Sequence, residues 1–390
     1  MSNIINIFLK KKIIKILFIA MPNSIHTAKW LSQFDNNIKY EIHFYPCYSA
    51  QLHKYILNSK NIILHEGDLE MVIDMVKPDI IHTLEMQHSA YLLLPIREKR
   101  KEFPLWFYSC WGSDIKWFRH FPNDKKNIVK ILGYIDALFS GDKQSIKIVV
   151  NDFGFSKKIL NVPSPGGIKI GEINKYLKNI KVTSKRKIIL VKGYTGWVYK
   201  PETIFKALEK CSNLIKEKKY NIVIYLPGEV DKYIERLTKL GICVTKFLHT
   251  NNQLKVFKLF SKSRINLAAS LSDGIPNSMI ESMLVGSFPI QSIFFGSEEY
   301  ISNCQNGIVL DPLDVEGYVK AIKLTLNDNN LVDSAAKYNK LLISNKYDYF
   351  NIKKKVLFFY NSFFKSSFFS KLKKFVIQSF KFKKISDTIN

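Results

Sequence analysis

A short segment in the second half of the chain constrains the fold most. Its apolar run, Arg264–Ser270, predicts a buried strand. Asp273 and Gly274 predict a tight turn, and Pro276 suits the first position of a helix that ends near Gly286. Another short strand follows. The free N-terminus of this helix is predicted to form an anion site, because its unpaired backbone N–H groups and its dipole favour a phosphate.

The helix carries different residues on its two sides. Met279, Ile280 and Met283 share an apolar stripe, whereas Asn277 and Glu281 lie four residues apart on another side. The Glu281 carboxylate could accept hydrogen bonds from two hydroxyls of a ribose. A capped helix in any parallel α/β domain is the alternative interpretation.

Asp273-x7-Glu281, followed by Met283 and by Gly286-Ser-Phe-Pro289, resembles the signature of retaining GT-B glycosyltransferases of the fourth glycosyltransferase family. That signature usually begins with Glu instead of Asp. The resemblance implies an α/β protein with the GT-B fold, in which two Rossmann-like, doubly wound domains face a central cleft. It also implies transfer of a sugar from a nucleotide-diphosphate sugar with retention of its anomeric configuration.

The resemblance assigns the donor site to the second domain. Asp273 and the backbone amides of Gly274 and Ile275 would contact the donor sugar and its diphosphate, and Glu281 would contact the ribose. A loop earlier in the second domain, at His249 and Asn251, would contact the base. The donor-binding residues predicted in this way are Gly274, Ile275, Pro276, Asn277, Glu281, His249 and Asn251.

Two lysines match, by position, the basic residues that hold the diphosphate in that family. Lys192 follows a predicted strand, and Lys200 precedes a predicted helix. Two cations beside a helix N-terminus would offset the charge that develops on a departing diphosphate. The predicted catalytic residues are therefore Lys192, Lys200, Asp273 and, from the first half of the chain, Asp114. Solvated lysines are the alternative, since the chain is rich in them.

Alternating short apolar strands and helices in the first half predict a doubly wound parallel sheet, which binds ligands at the carboxyl ends of its strands. Two segments at such ends, Asn23–Trp30 and Trp111–Ile115, resemble the Ser-Ile-His-Thr-x-Arg-Trp and Trp-Gly-Ser-Asp-Ile segments of a bacterial subset of the same family. This resemblance implies that the first domain binds the acceptor.

The acceptor-side residues predicted from these strand ends are His26, His82 and Ser113, and Asp114 is expected to orient the acceptor hydroxyl. The alternatives are a structural His26 and an Asp114 that caps a helix beneath a tryptophan. The spacing of His82 and His88 does not fit a zinc site.

A formal net charge of +26 predicts an anionic partner, which could be nucleic acid, an anionic membrane or a phosphorylated substrate. Five cysteines without a Cys-x-x-Cys pair are typical of reduced thiols in a cytosolic protein. No apolar run approaches the roughly 20 residues of a transmembrane helix. Ile4–Lys15 is interpreted as a basic amphipathic extension, because its charges follow its apolar part.

The Pro- and Gly-rich stretch Asn161–Ile168 predicts a domain boundary. The predicted domains are an acceptor-binding domain (1–170), a nucleotide-sugar-binding domain (171–345), and a crossover helix with a basic tail (346–390). Residues 351–390 contain ten lysines and nine phenylalanines but one acid. This composition predicts a helix at an anionic membrane surface. Nucleic-acid binding is the less favoured alternative, because no motif supports it.

Taken together, these features predict a glycosyltransferase that acts on a saccharide acceptor, expected to be lipid-linked, in lipopolysaccharide or capsule biosynthesis. It is expected to be cytoplasmic and peripheral on the inner face of the cell membrane. No Asp-x-Asp metal anchor occurs, so neither a metal nor a cofactor is predicted. The alternatives are a nucleotide-sugar epimerase or hydrolase on the same fold, and a non-catalytic protein that binds nucleotide sugars or nucleic acid.

Overall fold

The computed structural model describes residues 13–163, 166–248, 250, 252–293 and 296–364. These residues form two parallel sheets with helices on both faces, so the predicted pair of doubly wound domains is confirmed. The first sheet has the strand order β3-β2-β1-β4-β5-β6-β7. Its strands are β1 (Ile14–Ala20), β2 (Tyr40–Pro46), β3 (Ile62–Leu64), β4 (Ile80–Leu84), β5 (Leu105–Cys110), β6 (Ala137–Ser140) and β7 (Lys158–Asn161).

The second sheet has six strands in the order β10-β9-β8-β11-β12-β13. They are β8 (Ile188–Lys192), β9 (Asn221–Tyr225), β10 (Val244–Phe247), β11 (Ser263–Ala268), β12 (Phe288–Ser292) and β13 (Ile308–Leu310). In both sheets the strand order reverses beside the first strand, β1 or β8, which places a crevice for ligands at the carboxyl ends of the strands.

Helices cover both faces of each sheet. Those of the first domain are α1 (Ile25–Leu31), α2 (Lys54–Asn58), α3 (Leu69–Val76), α4 (Tyr91–Lys99), α5 (Ser113–Lys116), α6 (Pro122–Tyr134) and α7 (Lys143–Asn151). Those that follow are α8 (Ile170–Tyr176), α9 (Pro201–Lys210), α10 (Ser212–Glu217), α11 (Asp231–Lys239), α12 (Gln253–Phe260), α13 (Asn277–Leu284), α14 (Val315–Asn327), α15 (Asn329–Tyr347) and α16 (residues 349–364). A π-helical turn, Met86–Ala90, precedes α4.

Continuous apolar runs explain the central strands. In β1 every residue except Lys15 is buried, and all six residues of β11 are buried, as expected for parallel strands covered on both faces. On α13 the buried side chains include Met279, Ile280 and Met283, which is the predicted apolar stripe.

The chain passes between the domains twice, and the two passages pair with each other. The Ile168 N–H donates to the Tyr347 carbonyl, and the Tyr349 N–H donates to the Ile168 carbonyl. Helix α16 then returns to the first domain, where Val356 and Tyr360 join its core. The remainder of the predicted tail, residues 365–390, lies outside the described residues. Within the described part of the chain, no helix has the length and apolar character needed to cross a membrane.

Candidate functional site

A cleft with a volume of about 570 Å³ lies between the two domains. It is lined by turns at the carboxyl ends of strands from both sheets, where the reversal of strand order opens a crevice. The predicted site residues that line it are His26, Lys192, Asp273, Gly274, Ile275, Pro276, Asn277 and Glu281.

The turn before α13 presents backbone donors to this cleft. The backbone N–H groups of Gly274, Ile275 and Asn277 have no hydrogen-bond acceptor among the described residues. Pro276 is the N-cap residue and has no N–H to satisfy. The start of α13 therefore offers free N–H groups, at the positive end of the helix dipole, to an anion in the cleft.

Lys192 places a cation beside this turn. Its Nζ atom lies 3.4 Å from Asp273 Oδ2, and it also lies over the rings of Tyr194 and Tyr199, 5.4 and 5.2 Å from their centroids. Burial works to lower the pKa of Lys192, but attraction to Asp273 and to the surrounding tyrosine hydroxyls raises it above the usual value of lysine. Lys192 is therefore a permanent positive charge at neutral pH.

Glu281, on α13, is held by residues from both domains. Its Oε1 atom accepts hydrogen bonds from Lys29 Nζ of the first domain at 3.0 Å and from Gln253 Nε2 at 2.8 Å. No donor among the described residues contacts Oε2. One carboxylate oxygen is thus fixed by the protein, and the other is available to a hydroxyl in the cleft. The predicted contact of both Glu281 carboxylate oxygens with two ribose hydroxyls therefore includes one oxygen, Oε1, that already accepts two hydrogen bonds from protein side chains.

His26 meets the second domain across the cleft. The Asn277 side-chain amide donates to His26 Nδ1 at 3.3 Å, and the imidazole lies edge-on to Trp111 at 5.4 Å between ring centroids. Burial, together with the charges of Lys29 and Lys192, lowers the pKa of His26 to about 4. His26 is therefore a neutral imidazole at physiological pH, with Nδ1 as an acceptor.

The two domains touch through glycine backbones beside the cleft. A Cβ atom added to Gly112, whose φ is +115°, would lie 2.8 Å from the Cα of Gly274. Next to this contact, the hydroxyls of Ser113 and Ser272 lie 3.0 Å apart. Only glycine permits such an approach and such a φ at position 112. Ser113, predicted on the acceptor side, thus contacts the segment that leads to the turn before α13, and it does not line the cleft.

The structure corrects the expectation that Asp114 orients an acceptor. The Asp114 side chain is buried, and its carboxylate accepts from the Tyr108 hydroxyl at 2.6 Å and from the Cys110 thiol at 3.2 Å. It also accepts from the backbone N–H groups of Trp111, Gly112 and Ile115. Its oxygens are fully used to hold the turn that carries Trp111 and Gly112, so the role of Asp114 is structural.

The expectation for His82 is also corrected. His82 is fully buried in the first domain, where its ring nitrogens bond to the hydroxyls of Tyr360 and Ser109. Burial holds its pKa well below the usual value of histidine. Its side chain points into the core because of its register in β4, and it cannot reach a ligand in the cleft.

One other predicted residue, Lys200, is not brought to the cleft. Lys200 is the N-cap residue of α9, where its backbone N–H donates to the Ala269 carbonyl, and its side chain does not line the cleft. His249 and Asn251 lie outside the described residues.

Sequence reasoning missed several residues that line the cleft, notably Lys29, Gln253, Tyr194 and Tyr199. Lys29 lies within the segment Asn23–Trp30, whose resemblance to the family subset is a signal that could have identified it. No local pattern marks the others. Within the described residues, no group of three or more His, Cys, Asp or Glu side chains could hold a metal ion.

Comparisons with known proteins identify two family models. Residues 15–140 match the model described as glycosyl transferase 4-like, and residues 172–342 match the model described as glycosyl transferases group 1. The two ranges contain most of the first and the second sheet, respectively. No curated protein sequence matches the chain closely enough to identify a relative.

Solved structures share the fold at low sequence identity. A glycosyltransferase from Rickettsia africae is 13% identical with a TM-score of 0.67, and the match covers 90% of this chain and 99% of that one. Anabaena HepE in complex with UDP-glucose is 14% identical with a TM-score of 0.65, covering 89% and 99%. The lipopolysaccharide outer core galactosyltransferase WaaB, in its apo form, is 17% identical with a TM-score of 0.63, covering 88% and 99%.

Proposed function

The chain is a glycosyltransferase with the GT-B fold, and we propose that it transfers a sugar from a nucleotide-diphosphate sugar to a saccharide acceptor with retention of configuration. The observation that carries this proposal is the convergence of Lys192, Glu281 and the free amides at the start of α13 on one cleft. These groups match a diphosphate and a ribose in charge and in hydrogen-bonding capacity.

In the proposed reaction, Lys192 and the amides of Gly274 and Ile275 bind the diphosphate and stabilise its charge as the bond to the sugar breaks. The bond between the anomeric carbon and the diphosphate oxygen breaks, and a bond to the acceptor oxygen forms on the same face of the sugar. The departing phosphate oxygen takes the proton of the acceptor hydroxyl. No protein nucleophile is needed, and none is assigned.

Asp273 is proposed to contact the transferred sugar. Its side chain is partly exposed to the cleft, and Lys192 lies beside it. The Glu281 oxygen that faces away from Lys29 would accept a hydrogen bond from a ribose hydroxyl.

The saccharide acceptor and a role in surface polysaccharide assembly are also proposals. The structural neighbour WaaB, a lipopolysaccharide outer core galactosyltransferase, supports them, and the complex of HepE with UDP-glucose supports the nucleotide-sugar donor. An epimerase or hydrolase on the same fold is the alternative, and product analysis distinguishes the three reactions.

A thermal-shift series tests the donor site. The full chain is melted with UDP-, GDP-, ADP- and CMP-sugars, with and without EDTA. We expect one nucleotide class to raise the melting temperature without added metal, and Glu281→Ala to lose that shift. Glu217→Ala, an exposed residue of α10, is the matched control. No shift with any donor would contradict the proposal, and NMR of the product's anomeric proton tests retention.

We also propose that the C-terminal helix docks on an anionic membrane, which would bring the enzyme to a lipid-linked acceptor. On α16, Phe350 and Phe358 are 59% and 66% exposed, and Lys354 and Lys355 are exposed near them. Cations next to apolar side chains favour an anionic interface. The wild type should float with phosphatidylglycerol vesicles, and the Phe350→Ser/Phe358→Ser variant should not. Neither protein should float with phosphatidylcholine vesicles. Equal flotation of both proteins would contradict this docking.

A further inference from the structure

A second polar cluster lies at the carboxyl edge of the first sheet, beside the cleft. Asn23 follows β1 and lines the cleft, Tyr48 follows β2, and His88 lies in the π-helical turn after β4. The Tyr48 hydroxyl donates to Asn23 Oδ1 at 2.9 Å, and its ring lies edge-on to His88 with centroids 5.7 Å apart. The segments that follow three separate strands therefore contribute side chains to one small surface, which the proposed donor site does not use.

The backbone at this surface is unusual. Glu85 precedes the π-helical turn with φ +81° and ψ 157°, a conformation that non-glycine residues rarely adopt. Its buried carboxylate accepts from the backbone N–H groups of Gln87 at 2.7 Å and His88 at 2.9 Å. Strained residues and π-helical turns are found frequently at functional sites, where the surrounding structure holds them in place.

The same carboxylate orients the imidazole of His88. Glu85 Oε2 lies 3.1 Å from His88 Nδ1, so Nδ1 carries the hydrogen in this contact. The side chain of His88 is 54% exposed, and its Nε2 atom has no partner among the described residues. The hydrogen bond that His88 donates to Glu85 raises the pKa of His88, while its partial burial works to lower it. Nε2 is therefore presented to solvent in a fixed orientation, able to accept when neutral and to donate when protonated.

The cluster is also connected to the donor side. Gln87 Nε2 donates to the Asp114 carbonyl at 3.0 Å, and Asp114 holds the Trp111–Gly112 turn that touches Gly274. A ligand on this surface would therefore lie next to the turn where the two domains meet.

We propose that Asn23, Tyr48 and His88 form a subsite that binds a sugar unit of the saccharide acceptor. Sugar rings present hydroxyls, which need both donors and acceptors, and C–H faces, which pack on aromatic rings. The cluster supplies a phenol, an amide and an oriented imidazole, together with the edge of an aromatic ring. The Glu85 carboxylate beneath them disfavours a phosphate, so a neutral saccharide fits better. This subsite rests on the proposed function, since it assigns the acceptor of that reaction.

The test is binding of the full-length protein to a glycan array in the presence of UDP, GDP and ADP. We expect the wild type to bind at least one class of glycan and His88→Gln to reduce that binding at least about tenfold, because an oriented hydrogen bond is lost. Tyr48→Phe should reduce it a few-fold. His120→Gln, which changes another exposed histidine of the same domain outside the cleft, should bind as the wild type does.

The thermal shift given by the nucleotide sugar separates this subsite from the donor site. All three variants should keep that shift, because none of the substituted residues contacts the donor turn. Failure of the wild type to show any shift would count against the proposed function itself. A wild type that binds no glycan, or a His88→Gln variant that binds glycans as the wild type does, would overturn the subsite.

Discussion

Removing the charge of Lys29 is the sharpest test of how the first domain takes part in donor binding. The Lys29 and Glu281 side chains are only 17% and 12% exposed, and their charged atoms lie 3.0 Å apart. Since Glu281 Oε2 has no donor among the described residues, a ribose hydroxyl can use that oxygen without displacing Lys29. We therefore expect Lys29 to orient Glu281 and not to compete with the nucleotide.

The expected size of the effect follows from this contact. A hydrogen bond to a charged group contributes about 1.5–3 kcal/mol. Gln253 still holds Oε1 after the substitution, so the loss should fall at the lower end, about 1.5–2 kcal/mol. At about 1.4 kcal/mol for each tenfold change, Lys29→Met should raise the Kd for the nucleotide sugar roughly 10- to 30-fold.

Isothermal titration calorimetry with the nucleotide sugar measures this change. Lys29→Arg, which keeps the charge and the donor, should stay within a few-fold of the wild type. Lys54→Met removes an exposed lysine of α2 and serves as the matched control. Equal or tighter binding by Lys29→Met would refute the reasoning, because it would show that Lys29 competes with the ribose for Glu281.

Three further predictions concern other parts of the site. Asp114→Asn should lower the free energy of unfolding in denaturant by about 2–4 kcal/mol, because a buried carboxylate that accepts from several N–H and O–H groups is lost. The turnover of the folded fraction should change little. A large loss of turnover at unchanged stability would restore a catalytic role for Asp114. Gly112→Ala should lower the rate of sugar transfer at least about tenfold, because its Cβ would lie 2.8 Å from the Cα of Gly274. The control Gly133→Ala, whose Cβ meets nothing within 4 Å, should keep the wild-type rate. Equal rates for the two variants would show that transfer does not need the close contact between Gly112 and Gly274. His26 should stay neutral in a ¹³C-histidine NMR titration of the folded protein until the pH approaches about 4. Because the unfolded chain binds this proton near pH 6.5, the contribution of His26 should lower the stability of the protein as the pH falls from about 6.5 towards 4. A titration of His26 near pH 6.5 in the folded protein would contradict the burial argument.

Local sequence alone determined the elements around the donor turn. Apolar runs, a glycine turn and a proline predicted β11, α13 and β12 to within one or two residues, because these features act through neighbouring residues. The alternation of strands and helices in the first half likewise predicted its doubly wound sheet, and the resemblance to a family implied the second such domain. Resemblance to a family added the proposed roles of Asp273, Glu281 and Lys192, and all three residues line the cleft.

Tertiary structure decided which strand-end residues face a ligand. Asp114 follows the end of β5, as predicted, but its carboxylate is surrounded by donors of its own turn. His82 is the middle residue of β4 and not its last, and its side chain points into the core. The sequence indicates where a strand ends, whereas the direction of a side chain depends on register and on packing against other elements.

Long-range pairings were beyond any local pattern. Lys29 and Glu281 are 252 residues apart in the chain, and they meet only because the carboxyl ends of the strands of two separate sheets face each other. The same holds for Gly112 and Gly274, whose contact depends on the relative position of the domains. Local propensities act over a few residues, whereas such contacts depend on how whole domains pack. The sequence therefore determined the individual strands, helices and turns, and the tertiary structure determined the site between the two domains.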